Sequence, residues 1–165
     1  MISEEDIYIG TKNFLKKCGW NVIAGQPPDG CDHLPVVEIK DKNRTGKGSG
    51  KAFKPDLIAY KNNFLLVLEC KPKRSQADID KLNLVSNDFD RRANLINEIY
   101  QRRLLHSFPN IDKAKLIQNT LFGIANGCSN QNEKGIICFR IMSEEGEFEL
   151  TPPLNFSLEA GLFEF

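Results

Sequence analysis

Residues 54–73 read KPDLIAYKNNFLLVLECKPK, and the reading of this stretch decides the fold. Two apolar runs, 56–60 and 64–70, are strand-like, and Lys61-Asn62-Asn63 between them reads as a tight turn. Asparagine tolerates the positive φ that a two-residue hairpin loop demands, so a loop at Asn62-Asn63 pairs Lys61 with Phe64. Carried down the two strands, that register sets Asp56 directly opposite Glu69. Facing residues of an antiparallel pair have Cβ atoms about 4.5–5.5 Å apart on one side of the sheet, and like charges there repel. A divalent cation between the two carboxylates resolves the repulsion. Lys71, two residues beyond Glu69, points to the same face.

Pro55-Asp56, a hydrophobic strand that turns back, and then Glu69-Cys70-Lys71 resemble the signature of the PD-(D/E)xK nuclease superfamily. The resemblance implies that Asp56 and Glu69 bind Mg²⁺, with Mn²⁺ as a substitute, and that Cys70 lends its backbone carbonyl to the metal. It implies that Lys71 positions or activates the attacking water. The N-terminal piece EEDIYIGTKNFLKKCGW, residues 4–20, reads as a helix followed by Gly19-Trp20 opening a strand. It is similar to the start of the nuclease domain in type I restriction endonuclease subunits, where a helix glutamate joins the site. Glu5 best matches that glutamate and Glu4 is the near alternative. The later LFGIANG and GIICFRI resemble the strand, turn and strand near the end of those domains. The likeness covers most of the chain and is specific at residues 55–71. One departure stands out: many such nucleases carry a Gln-x-x-x-Tyr pair on the helix after the lysine, whereas Gln76 is followed by Asp80 here. The fold implied is a restriction-endonuclease-like α/β three-layer core, a mixed central sheet flanked by helices.

A chain of 165 residues suits one domain, 1–165, with a real core. Its 41% hydrophobic and 27% charged content is that of an ordinary soluble globular protein. No apolar run approaches the roughly 20 residues of a membrane span, and the acidic start MISEED lacks a signal-peptide core. Five cysteines, an odd count without CxxC spacing, point to a reducing, cytoplasmic setting. Cys18, Cys70 and Cys138 fall in apolar segments and read as small core residues. Cys31-Asp32-His33 is half a metal site with nothing of suitable spacing to complete it.

Net charge is zero, but its distribution is uneven. Residues 1–39 carry −3, residues 40–54 carry +5, residues 55–142 carry +4 and residues 143–165 carry −6. Positive charge therefore concentrates beside the Asp56–Lys71 segment, and phosphate backbones select for such local density. The candidate DNA contacts are Arg44, Lys47, Lys51 and Lys54, with Lys40 and Lys42 before them and Lys73 and Arg74 after the hairpin.

Along the chain, residues 3–18 read as an amphipathic helix. Ser3 is its N-cap with Asp6 three residues on, Ile7, Phe14, Leu15 and Cys18 form the inner face, and Gly19 ends it. Residues 20–24 make a first strand, 26–34 a turn-rich loop, 36–39 a short strand, and 40–54 a Gly/Lys-rich loop. Helices at 76–86 and 88–106 follow, the second decorated by Arg91, Arg92, Arg102 and Arg103. Residues 116–126 fit a helix on their 116/117/121/124 spacing, but a buried strand at 119–125 is preferred for its continuous apolar run. A hairpin of 135–142 and 147–151 completes the sheet, and Pro152-Pro153 stops it. This order is an α/β three-layer pattern with residues 56, 69 and 71 at one edge of the central sheet.

The expected function is a Mg²⁺-dependent endonuclease that hydrolyses DNA phosphodiester bonds, in restriction or another prokaryotic defence. The rival is a non-catalytic nuclease-fold subunit that binds nucleic acid or a partner protein; the complete Asp, Glu, Lys set disfavours it. There is no Gly-rich phosphate loop, no GxSxG and no Ser/His/Asp set, and His33 and His106 are the only histidines. No reader module is visible, so specificity falls to loops 26–54, the arginine helix or another subunit. Leu154, Phe156, Leu158, Leu162, Phe163 and Phe165 give the tail two readings: an interface for a homodimer or partner subunit, or a segment folded back on its own sheet.

Overall fold

The turn at Asn62-Asn63 has φ of 47° and 63°, and the strands on either side pair Lys61 with Phe64 and Leu57 with Leu68. Both asparagines occupy the left-handed region that a two-residue hairpin requires, so the local sequence sets the register of this hairpin. In the computed structural model, which describes residues 2–28, 33–39, 53–129 and 131–164, six strands form one sheet. They are β1 (Asn21–Gly25), β2 (Leu57–Lys61), β3 (Phe64–Lys71), β4 (Thr120–Asn126), β5 (Ile137–Ile141) and β6 (Phe148–Thr151). They lie in sequence order across the sheet, β1-β2-β3-β4-β5-β6. β3–β4 and β4–β5 are parallel and the other pairs antiparallel, so the sheet is mixed and open.

Four helices complete the described fold: α1 (Glu4–Lys17), α2 (Gln76–Ser86), α3 (Phe89–Gln101) and α4 (Lys113–Gln118). α1 starts on the expected capping box: Ser3 and Asp6 exchange hydrogen bonds of 3.0 and 3.2 Å. It ends at Cys18, followed by Gly19 at φ 82°. Ile7, Phe14 and Leu15 of α1 join Leu66, Leu68 and Cys70 of β3 in one core cluster. Ile79, Leu82, Leu95, Ile96 and Leu116 of α2, α3 and α4 join Leu65 and Val67 of the same strand in the other. Alternate residues of β3 thus face opposite layers, and β3 and β4 are buried on both faces, which is why their sequences read as continuous apolar runs.

Several boundaries differ from those read off the sequence. The segment 36–39 makes a single bridge, Ile39 to Phe53, and no strand. The arginine helix stops at Gln101, because Arg103 at φ 58° turns the chain and Leu104 donates back to the Ile99 carbonyl. Residues 113–126 resolve into both alternatives in turn: α4, capped by Asp112, then β4. Residues 69 and 71 do not lie on an edge strand. They sit at the carboxyl end of β3, an interior strand.

The tail folds back. The Trp20 indole donates to the Leu162 carbonyl at 2.7 Å, Phe163 stacks on Trp20 with centroids 5.4 Å apart, and Leu162 is buried. Lys61 caps the carbonyls of Cys18, Gly161 and Leu162. Leu154 and Phe156 stay exposed, and Phe165 lies outside the described residues.

Candidate active site

Asp56 immediately precedes β2, and its carboxylate accepts a 2.8 Å hydrogen bond from the Cys70 amide. That bond ties the ends of the two strands together and aims the Asp56 side chain at Glu69, with which it hydrogen-bonds directly. Glu69 is only 4% exposed. Burial, then the hydrogen bond and charge of Asp56, then the charge of Asp78, push its pKa to about 10. Burial also raises Asp56, against the stabilising pull of Glu69, the Cys70 amide and Lys71. Both carboxyls are thus biased toward their protonated forms. The two carboxyls face each other as the register predicts, and their mutual repulsion contributes to raising Glu69.

Lys71 is half-buried at the end of β3, and its Nζ lies 3.2 Å from Glu4 Oε1 on α1. Burial works against its charge, but the hydrogen bond to Glu4 and the charges of Asp56, Glu4 and Asp78 outweigh burial and raise the pKa. Lys71 is accordingly a firmly held ammonium, a hydrogen-bond donor rather than a base. The helix acid that meets it is Glu4. Glu5 is exposed. The reason is helical phase: Glu4 continues the stripe of Tyr8, Thr11 and Leu15 that faces the sheet, and Glu5 is turned about 100° away.

The Cys70 thiol is fully buried beside Thr11, and burial followed by the charge of Asp56 drives its pKa well up, so the sulfur is inert. Two buried polar residues complete the surroundings and were not singled out in the sequence. Asp78, 5% exposed, stands in the first turn of α2, close enough to Glu69 and Lys71 to shift both, and is 3.5 Å from Lys81. Its signal was the Ser75-x-x-Asp78 start of a helix whose inner face continues through Ile79 and Leu82. Asn126 pairs with Lys71 across β3–β4 and accepts the Cys128 amide at 2.9 Å. Gln76 donates to Asp80 at 2.9 Å and accepts from Arg74, so the altered glutamine element is an exposed surface network.

Of the candidate phosphate contacts, Lys54 and Lys73 are exposed on either side of this end of the hairpin. Arg74 is held by Glu133, with Nε 3.2 Å from Oε1. Arg44, Lys47 and Lys51, with Lys40 and Lys42, lie outside the described residues, as does Cys31. On α3, Arg91 pairs with Asp88 at 3.2 Å, and Arg102, at its C-cap, donates to the Val36 carbonyl. His33 and His106 are exposed.

Among the described residues no group of three or more His, Cys, Asp or Glu is disposed to hold a metal. The two facing carboxylates fit Mg²⁺ by a different criterion. They are hard oxygen donors facing one another at the ends of two paired strands, and Mg²⁺ commonly takes one or two carboxylates with water and substrate oxygens filling the rest. No helix among the described residues is long and apolar enough to cross a membrane. No family model matches the chain, and neither a curated protein nor a solved structure is significantly similar to it.

Proposed function

We propose that the chain is a Mg²⁺-dependent endonuclease that hydrolyses DNA phosphodiester bonds. The observation that carries this reading is the facing Asp56–Glu69 pair, with Asp56 held by the Cys70 amide and Glu69 buried, and Lys71 two residues beyond it, 3.2 Å from Glu4. Phosphodiester hydrolysis needs a hard-oxygen ligand set, charge neutralisation at the phosphate and an oriented water. Asp56 and Glu69 would hold Mg²⁺, with the Cys70 carbonyl as a further donor; bound there, the metal supplies Lewis acidity toward the scissile phosphate. The Cys70 amide fixes Asp56 so that one of its oxygens stays in place while the other is available. Lys71 donates to a phosphate oxygen or to the attacking water and counters the charge that develops there. Glu4 holds the ammonium in position and takes up its charge when no substrate is present. Lys54 and Lys73 flank the site and suit a phosphate backbone. The resemblance to type I restriction subunits supports a role in restriction or another prokaryotic defence, in the cytoplasm.

Cleavage of plasmid and single-stranded DNA with Mg²⁺, Mn²⁺ or EDTA tests the proposal. Cutting that requires a divalent cation and is lost in Asp56→Ala supports it. DNA binding without cutting under every condition assigns the chain instead to the non-catalytic class of nuclease-fold subunits.

A further inference from the structure

We propose that a cavity at the opposite end of β3 and β4 is a binding site for a mononucleotide. The proposal stands apart from the nuclease reading, because it uses none of the residues from Asp56 to Lys71 that carry that reading except Phe64, at the far end of β3. The cavity encloses about 670 Å³ and is floored by Phe64, Thr120 and Phe122, the residues that open β3 and β4. The last turn of α2, with Asn83 and Asn87, forms one wall, and the tail around Phe156 forms the other. Ligand sites of this kind span about 300–1,000 Å³ and combine apolar walls with a few polar groups.

The polar groups are of two chemical kinds. Arg92 lines the cavity, and its Nε is buried with no hydrogen-bond partner. Its neighbour Arg91 is paired with Asp88 at 3.2 Å, and the Arg92 guanidinium lies 5.9 Å from the centroid of the Phe89 ring. Unsatisfied buried donors are uncommon in native proteins, and a guanidinium fork matches a phosphate bidentately. Lys134, exposed at the rim, adds a second cation. The other kind is the carboxamide. Asn83, Asn87, Gln118 and Asn119 line the space, and each can present a donor and an acceptor together, the pattern that pairs with a base edge. Asn119 donates one amide hydrogen to the Asn63 carbonyl at 3.3 Å, which leaves the other hydrogen and its oxygen. Phe156, 40% exposed, and the half-buried Phe64 offer surfaces on which a planar base rests. Glu159, the one acid in the lining, offers an acceptor for sugar hydroxyls.

The test is calorimetric and NMR titration of the full chain with AMP, GMP, CMP and UMP, with inorganic phosphate and the free nucleosides as controls. The expected result is one or more nucleotides binding with Kd below about 1 mM. Phosphate and nucleosides should bind at least about tenfold more weakly, since each carries half of the recognition. Amide shifts should centre on Asn83, Asn87, Arg92 and Asn119, leaving residues 69–71 unmoved. Arg92→Ala should weaken binding by at least about tenfold. Lys134→Ala, at an exposed position, should weaken it by a smaller factor and keeps the test valid if Arg92→Ala fails to fold. No binding of any mononucleotide at millimolar concentration would overturn the proposal. So would inorganic phosphate binding as tightly as the nucleotides, shifts confined to residues 69–71, or affinity unchanged by both substitutions.

Discussion

At the scale of single residues, the Asp56–Glu69 pair converts a repulsion into a pH dependence. The pKa of Glu69 rises from 4.5 to about 10 on folding, first through burial and then through Asp56. A carboxyl raised in the folded state contributes stability that is whole below its unfolded value and is lost as pH climbs through the folded one. The metal-free protein should therefore lose stability progressively as pH rises above about 5. Glu69→Gln, which cannot ionise, should flatten that slope. Denaturant unfolding across the neutral range measures it, and an unchanged slope in the variant would contradict the assignment. Mg²⁺, displacing the proton, should stabilise the protein more at higher pH. Lys71 belongs to the same scale. Because its charge is held by Glu4, its removal should cost cleavage about a hundredfold or more, the size of one positioned electrostatic group. Glu4→Gln should lower activity while Glu5→Gln leaves it near the parent rate, and steady-state cleavage of one oligonucleotide substrate compares all three. Equal losses at Glu4 and Glu5 would sink the helical-phase argument.

At the scale of elements, the hairpin is the piece whose local chemistry is complete. Asn62 is exposed at φ 47°, a conformation that costs most side chains about 1–2 kcal/mol. Asn62→Val should destabilise the protein by about that amount, and Asn62→Gly should be neutral or slightly stabilising. Asn63 is less replaceable. Its amide bonds Asn110 and Asp112, anchoring the turn to the start of α4, so Asn63→Gly should destabilise despite the permissive backbone. Thermal melts of the three variants check the order. If Asn62→Val melts with the parent, the turn does not govern the register. The ends of the helices follow the same logic of local hydrogen bonds: Ser3, Ser75, Asp88 and Asp112 each cap one.

At the scale of the whole molecule, the tail closes the layer that α1 begins. Leu162 is 4% exposed, and Phe163 packs against both Trp20 and Phe139. Leu162→Ala should cost about 2–5 kcal/mol, as truncations of buried leucines do. Deleting residues 154–165 should destabilise the domain and shift the emission of Trp20, the single tryptophan, to the red. A truncated protein with parental stability and unshifted emission would show that the tail is dispensable to the core and would return it to the interface reading. Sedimentation of the same variant reads the oligomeric state independently. The tail also walls the cavity at the amino ends of β3 and β4, so one segment links the packing of the sheet to the shape of that space.

Local sequence alone accounts for the hairpin, its register, the facing of Asp56 and Glu69, the caps of α1 and the cysteines of the core. Each rests on short-range constraints: positive φ at Asn62 and Asn63, period two along a strand, and the capping chemistry of Ser3 and Asp6. Only the tertiary structure decided the rest. Glu4 and Glu5 are neighbours with nearly identical local claims, and the packing of α1 on the sheet chose between them. Asp78 became part of the site because α2 docks beside β3, and helical propensity carries no record of that distance. Residues 116–126 held signals for helix and strand together, and burial between β3 and β5 settled where one ended. The tail was equally apolar under either reading. Its burial followed from an exposed apolar face left by α1 and β1, a property of the assembled layers rather than of the tail's own residues.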